Sequence, residues 1–199
     1  MGVYNFDLIF IYALARSEGS AHDAKVLADA KLKGLPMQIG KYYLADAGYS
    51  LSKLCLVPYR GTRYHLKEWV RGNQRPLNKE ELFNLRHSSL RNVVERIFGI
   101  LKKRFPIVVL MSLYDFDFQC DIVLGAMMLH NFIRINNEEE DIFDIWDEED
   151  IVDNDEFEND NEVNQHKLNI WRDGIATSMW DAYQLELARR GLLWLKCTL

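Results

Sequence analysis

Residues 6–15 are rich in β-branched and aromatic side chains and read as one buried strand. Ser17-Glu18-Gly19-Ser20 turns the chain, and either Ser20 or His22 is placed to cap a helix over residues 21–30, which Gly34 and Pro36 bring to an end. Residues 41–45 form a second, short strand with Asp46 at its C-terminal end. From 56 to 76 the periodicity lapses among Pro58, Gly61 and a series of bases, and the stretch reads as a partly irregular excursion. A helix is expected over residues 78–86, with Asn78 as N-cap and Glu81 at the third helical position, a loose capping box. A second helix runs over 91–105 and stops at Pro106, and a third, apolar one covers 121–135. The pattern then dissolves into Asp, Glu and Asn over 136–166, with scattered Ile, Phe and Trp146, which reads as a disordered linker. Helical spacing resumes after it in Ile175, Met179, Trp180, Tyr183 and Leu187. The expected domains are therefore 1–135, a linker at 136–166, and a C-terminal helix within 167–199.

The helix over 91–105 carries the most chemistry. At ~100° per residue, Arg91, Glu95 and Lys102 fall within about 40° of one another, beside an apolar arc of Val94, Ile97, Leu101 and Phe105. A single carboxylate between two cations suits a metal ligand next to a polyphosphate, with Arg91 and Lys102 meeting the phosphates. The plainer alternative is a surface pair of Glu95 with Arg91, typically worth less than about 1 kcal/mol. Asp46 stands where ligands bind in open α/β sheets, at a strand's C-terminal end, or else simply forms the turn before Ala47-Gly48. Phosphodiester hydrolysis by two metals needs carboxylates converging on ions ~3.5–4 Å apart, and Mg²⁺ accepts such oxygen ligands while keeping waters.

Charge sharpens this picture. The chain of 199 residues has 24 Lys+Arg against 30 Asp+Glu, a formal net charge of −6. Residues 138–162 hold 15 of the acids and no Lys or Arg, so the remainder has 15 acids against 24 bases, a net charge of +9. A basic body with one acidic segment points to an anionic partner, DNA above all. The bases of the excursion (Arg60, Arg63, Lys67, Arg71, Arg75) alternate with Tyr59, Tyr64 and Trp69, and either track a DNA backbone or form a solvated loop. The acidic segment is either a solubilising linker or a competitor that folds back over the basic face. Three scattered cysteines without a CxxC suggest a reducing compartment and no zinc knuckle. No apolar run approaches the ~20 residues of a membrane span, and the first residues lack the basic and cleavable pattern of a signal peptide.

Several strings, in order, resemble one known family. They are Tyr43-Leu44-Ala45-Asp46-Ala47-Gly48-Tyr49, Leu56-Val57-Pro58-Tyr59-Arg60, and Phe83-Asn84-x-x-His87-Ser88-x-x-Arg91-x-Val93-Val94-Glu95-Arg96-x-Phe98-Gly99-x-Leu101-Lys102. Phe6-Asp7-Leu8-Ile9-Phe10, Leu129-His130-Asn131-Phe132 and Arg172-Asp173-x-Ile175-Ala176 add to them. Together they resemble the PIF/Harbinger-type transposases and the HARBI-like nucleases. That resemblance implies an α/β, RNase H-like fold and a DDE triad binding Mg²⁺ or Mn²⁺, with the second aspartate at Asp46 and the glutamate at Glu95. The Arg-x3-Glu-x6-Lys spacing is similar to a signature of related transposases in which the bases contact DNA; the tyrosine that opens it falls at Ser88 here. The family's first aspartate lies upstream of the resembled segment. The chain is therefore expected to lack the first strand and most of the second, with Asp7 and Asp23 as the nearest substitute acids. The implied function is metal-dependent DNA cleavage, impaired by that loss, in the nucleus or else the cytoplasm. A separate Myb/SANT-like DNA-binding partner is also implied, and no membrane. The alternative is a non-catalytic remnant that binds DNA or protein.

Among the other residues, His130 on an apolar helix is expected to be a hydrogen-bonded core histidine, and Trp171, Trp180 and Tyr183 to pack inward or against a partner groove.

Overall fold

The structure, a computed structural model, describes residues 1–16, 22–64, 75–110, 113–136 and 162–190. Among the described residues the order is β1 (Gly2–Tyr4), β2 (Phe10–Ala13), α1 (Asp23–Leu32), β3 (Tyr43–Leu44), β4 (Cys55–Leu56), α2 (Lys79–Arg104), α3 (Ile107–Leu110), α4 (Phe116–Asn136) and α5 (Glu162–Arg189). The chain divides into two compact units, residues 1–37 with 92–152, and residues 38–91 with 153–199. No helix among the described residues is long and apolar enough to cross a membrane.

In the first unit, β1 and β2 pair antiparallel, with Gly2 opposite Ala13 and Val3 opposite Tyr12. Of the strand expected over 6–15, only Phe10–Ala13 is extended; residues 6–9 belong to the turn of a hairpin whose first strand is Gly2–Tyr4, and the turn has a local cause. The Asn5 Oδ1 accepts the N–H groups of Asp7 at 3.1 Å and Ile9 at 3.0 Å, building an Asx-type turn in place of extended chain. Leu8 adopts a left-handed φ of 60° within it, which delivers its side chain to the core. There Leu8 and Phe10 meet Ile97, Ile100 and Leu101 of α2, spaced for one helical face, and Ala126 and Met127 of α4. His130 lies in the same core as expected. Its Nε2 donates to the Leu8 carbonyl at 2.8 Å, its ring meets Phe10 edge-on, and burial holds its pKa below the usual histidine range. The helix α1 begins after His22, which occupies the cap position without a side-chain capping bond; Ser20 lies outside the described residues.

In the second unit, β3 and β4 pair in parallel, Tyr43 with Cys55 and Leu44 with Leu56. The ladder extends one residue further through the Ala45 N–H to the Leu56 carbonyl at 3.0 Å. Leu51, Leu56, Val57, Phe83 and Ala176 form the core, against which Trp171, Ile175 and Met179 of α5 pack. The two helices expected over 78–86 and 91–105 are one continuous α2 of 26 residues. The polar residues between them do not break it, because the Ser88 and Ser89 hydroxyls bond back to the Leu85 carbonyl at 3.1 and 2.8 Å and His87 is buried with its own partners. The capping box is present in shifted form. The Glu81 N–H donates to Asn78 Oδ1 at 2.8 Å, while the Glu81 carboxylate reaches the Leu77 N–H rather than that of Asn78. The C-terminal helix α5 begins at Glu162, inside the stretch read as linker; residues 137–161 and 191–199 lie outside the described residues.

Candidate active site

Asp46 follows β3 directly. The last ladder bond is made by Ala45, so Asp46 is the residue at which the chain leaves the C-terminal end of a parallel pair. Its carbonyl accepts the Tyr49 N–H at 3.1 Å, and its Oδ1 accepts the Ala47 N–H at 2.8 Å. It is therefore a turn former, and its side-chain direction is fixed by its own backbone.

The same Oδ1 is 2.5 Å from Nη1 of Arg91, and the two side chains are only 24% and 22% exposed. Arg91 thus pairs with Asp46, 45 positions away, and this tertiary partner replaces the local Glu95 pairing weighed from sequence. Arg91 Nη1 also donates to the Tyr64 hydroxyl at 3.3 Å. The Tyr64 hydroxyl contacts Nδ1 of His87 at 3.3 Å, and Nε2 of His87 contacts the Leu56 carbonyl at 3.1 Å. A carbonyl only accepts, so Nε2 carries the proton, Nδ1 accepts from the tyrosine, and the tyrosine oxygen accepts from Arg91. The donors run outward from Arg91, to Asp46 on one side and through Tyr64 and His87 to the Leu56 carbonyl of β4 on the other. Burial is the main reason that His87 has a pKa lowered to about 4; its bond to the Leu56 carbonyl opposes the shift, and the nearby Arg91 cation adds to it. Burial likewise works against the charge on Arg91, but Asp46 and Tyr64 outweigh it and raise the guanidinium pKa.

The remaining expected site residues are scattered over different surroundings. Arg60 is exposed and donates to the Ala47 carbonyl at 3.3 Å, beside the Asp46 turn. Arg63 donates from Nη2 to both carboxylate oxygens of Glu81, at 3.3 and 3.2 Å, with 18% and 15% side-chain exposure. Glu95 and Lys102 lie on the part of α2 that belongs to the other unit, and both side chains are exposed. Lys67, Trp69 and Arg71 fall outside the described residues. His87 and Tyr64 were not singled out from sequence as site residues. The available signal was the His87-x3-Arg91 spacing, one helical turn that puts both on the same face.

Metal binding can be tested against this donor set. Among the described residues there is no group of three His, Cys, Asp or Glu side chains that could hold a metal ion. The one strand-end carboxylate already carries a guanidinium and a backbone N–H on the same oxygen. As arranged, these residues do not fit a divalent cation at Asp46. Asp7, a substitute acid considered from sequence, is bonded within the Asn5 turn, and Asp23 stands in the first turn of α1, where helix polarity favours an acid.

Comparison with known proteins gives one positive result. A family model described as DDE superfamily endonuclease matches residues 1–131. No curated protein and no solved structure gives a match.

Proposed function

The chain belongs to the DDE superfamily endonuclease family, and from that premise we propose that it is a Harbinger-type, transposase-derived nuclease domain acting on DNA. Membership fits an RNase H-like fold and, at family level, a nuclease that generally uses divalent metal ions. In this reading Asp46 and Glu95 are the metal-binding acids, for Mg²⁺ or Mn²⁺, and Arg91, Lys102 and Arg60 meet DNA phosphates. Arg63 belongs to the same basic stretch but already answers Glu81. The basic composition outside 138–162 supports DNA as the partner. A separate Myb/SANT-like protein would supply target recognition, in the nucleus. The observation that carries this reading is the position of Asp46, at the C-terminal end of a parallel strand within the matched region.

A second reading is a module that binds DNA or protein without cutting it. The Arg91–Asp46 ion pair favours this second reading, because it neutralises the carboxylate that the metal chemistry needs. A plasmid-nicking assay with Mg²⁺ or Mn²⁺ separates the two. Under the nuclease reading the wild type nicks DNA, while Glu95→Gln and Asp46→Asn do not and still bind it. Equal nicking by wild type and both variants would remove these acids from the mechanism. DNA binding without nicking would leave the second reading.

A further inference from the structure

The helix α4 is apolar on two sides. One side buries Cys120, Ala126, Met127 and His130. At ~100° per residue, Phe118, Ile122, Gly125, Leu129 and Phe132 fall within about 80° of one another on the other side. Phe118, Leu129 and Phe132 are 49, 54 and 66% exposed, and Met128 and Ile135 along their flank are 72 and 68% exposed. A helix with apolar residues all round belongs in a covered setting, not at a surface. We propose that this face of α4 is a homodimer interface, on which the same helix of a second copy packs antiparallel across Gly125. The inference stands on α4 and is independent of the reading of the chain as a nuclease.

Three observations select a second copy as the occupant. The first is spacing. The stripe advances by four, three, four and three residues, the repeat by which a helix packs against its own kind. The second is area. At about 150–250 Å² for a large side chain, the five exposed residues offer roughly 500–700 Å². Tyr114, whose ring meets Phe118 at 5.1 Å, and its chain neighbour Leu113 are also exposed and extend the patch. The total of about 800 Å² is the share of each partner in a standard interface, and more than a monomer usually leaves bare. The third is charge, which also sets the direction. The acids bordering the stripe, Asp117 and Asp121, lie in its N-terminal half, where they share Arg16 at 3.4 Å each. Antiparallel packing puts the acids of the two copies at opposite ends and opposes the helix dipoles; parallel packing sets like charges side by side. At the midpoint an added Cβ on Gly125 would meet nothing within 4 Å, so the second helix has room to approach there.

Sedimentation equilibrium of the full chain is the test. The expected mass is twice the 23.4 kDa of one chain, with a dissociation constant of about 10 μM or tighter. Leu129→Glu and Phe132→Glu are each expected to weaken the dimer about tenfold or more, with unchanged far-ultraviolet circular dichroism, because each would put an unpaired carboxylate into the interface. Leu185→Glu, a control at an exposed apolar position of α5, is expected to leave the mass unchanged. Under oxidation Gly125→Cys is expected to give a reducible covalent dimer above the wild-type background. Asp121→Cys is not, because antiparallel packing leaves the two copies of that position roughly 12 Å apart at ~1.5 Å of rise per residue. A wild type that is monomeric about tenfold above the expected dissociation constant overturns the proposal, whatever else covers the face. So does a dimer that both glutamate substitutions leave intact, and so does cross-linking by Asp121→Cys but not by Gly125→Cys. If the glutamate variants do not fold, the two cysteine variants decide.

Discussion

Asn131 and Phe10 exchange a reciprocal pair of hydrogen bonds. The Phe10 N–H donates to Oδ1 of Asn131 at 2.9 Å, and Nδ2 of Asn131 donates back to the Phe10 carbonyl at 2.8 Å. One amide side chain from α4 thereby pairs with β2 as a neighbouring strand would. The second unit repeats the device. Asn84 of α2 accepts the Tyr59 N–H at 2.8 Å and donates to the Tyr59 and Thr62 carbonyls at 2.9 and 3.2 Å. Only a side chain with both a donor and an acceptor can do this, so Asn is required for its chemistry and not merely for its size.

Replacing Asn84 should be costly in a way that depends on donor and acceptor, not on volume. Asn84 is fully buried, and Asn84→Ala leaves the Tyr59 N–H and two carbonyls to find other partners. A loss of about 2–4 kcal/mol is expected. Asn84→Asp should be no better, because a carboxylate would face two carbonyl oxygens with nothing to donate. Urea denaturation measures both. A loss below about 0.5 kcal/mol for either variant would show that the pairing contributes little.

Acid should destabilise the second unit earlier than carboxylate titration alone would make it. His87 is 3% exposed and its pKa in the fold is about 4, below an ordinary value of 6.5. Between those two values the unfolded chain binds a proton that the folded chain refuses. Stability is therefore full above about pH 6.5 and is lost as pH falls towards 4, by about 3 kcal/mol over the whole interval. His130 of the first unit, also held low by burial, gives that unit an acid sensitivity of the same sign. Melting temperature measured between pH 7 and 4 should fall, and His87→Gln, which cannot be protonated, should fall less steeply over that range. Parallel curves for the two proteins would contradict the assignment.

These long-range features mark the limit of what the sequence shows. The Asn78–Glu81 cap was legible because it is local, three residues apart, and His130 was legible as a core residue from its apolar helix face. Asp46 was legible as a strand-end acid. The partners of Asn84, Asn131 and Arg91 lie 25, 121 and 45 positions away, and no spacing rule reaches that far. A local rule even pointed the wrong way for Arg91, offering Glu95 at one helical turn where Asp46 is the partner. The hairpin at Asn5 was missed because Phe6, Leu8 and Ile9 look strand-like while a single Asn side chain redirects the backbone. The two expected helices leave out residues 87–90, where the Ser88 and Ser89 hydroxyls bond back to the Leu85 carbonyl and the helix continues.

Arg60 and Arg63 are close in sequence and should differ in DNA binding. Arg60 is exposed and donates to the Ala47 carbonyl, while Arg63 pairs with Glu81 and is largely buried. Arg60→Ala should weaken binding across unrelated DNA sequences and reduce the slope of log affinity against log salt by about 0.9, the share of one phosphate contact. Arg63→Ala should leave that slope unchanged and instead lower stability, since Glu81 loses its cation in a poorly hydrated place. Fluorescence anisotropy at several salt concentrations reads the first effect and thermal melting the second. A salt slope that moves for Arg63→Ala but not for Arg60→Ala would reverse the assignment.

The acidic segment gives a prediction that depends on salt. Deleting 138–161 spares α5, which starts at Glu162, and removes 14 acids, changing the formal net charge from −6 to +8. If those acids compete with DNA for the basic body, affinity should rise in the deletion variant most strongly at low ionic strength. The gain should shrink as the Debye length falls from about 30 Å at 0.01 M to about 8 Å at 0.15 M salt. The salt slope should steepen as well, because phosphates would no longer have to displace an internal polyanion. Anisotropy titrations of both proteins across that salt range provide the check. Equal affinities at the lowest salt would mean that the segment does not reach the basic face.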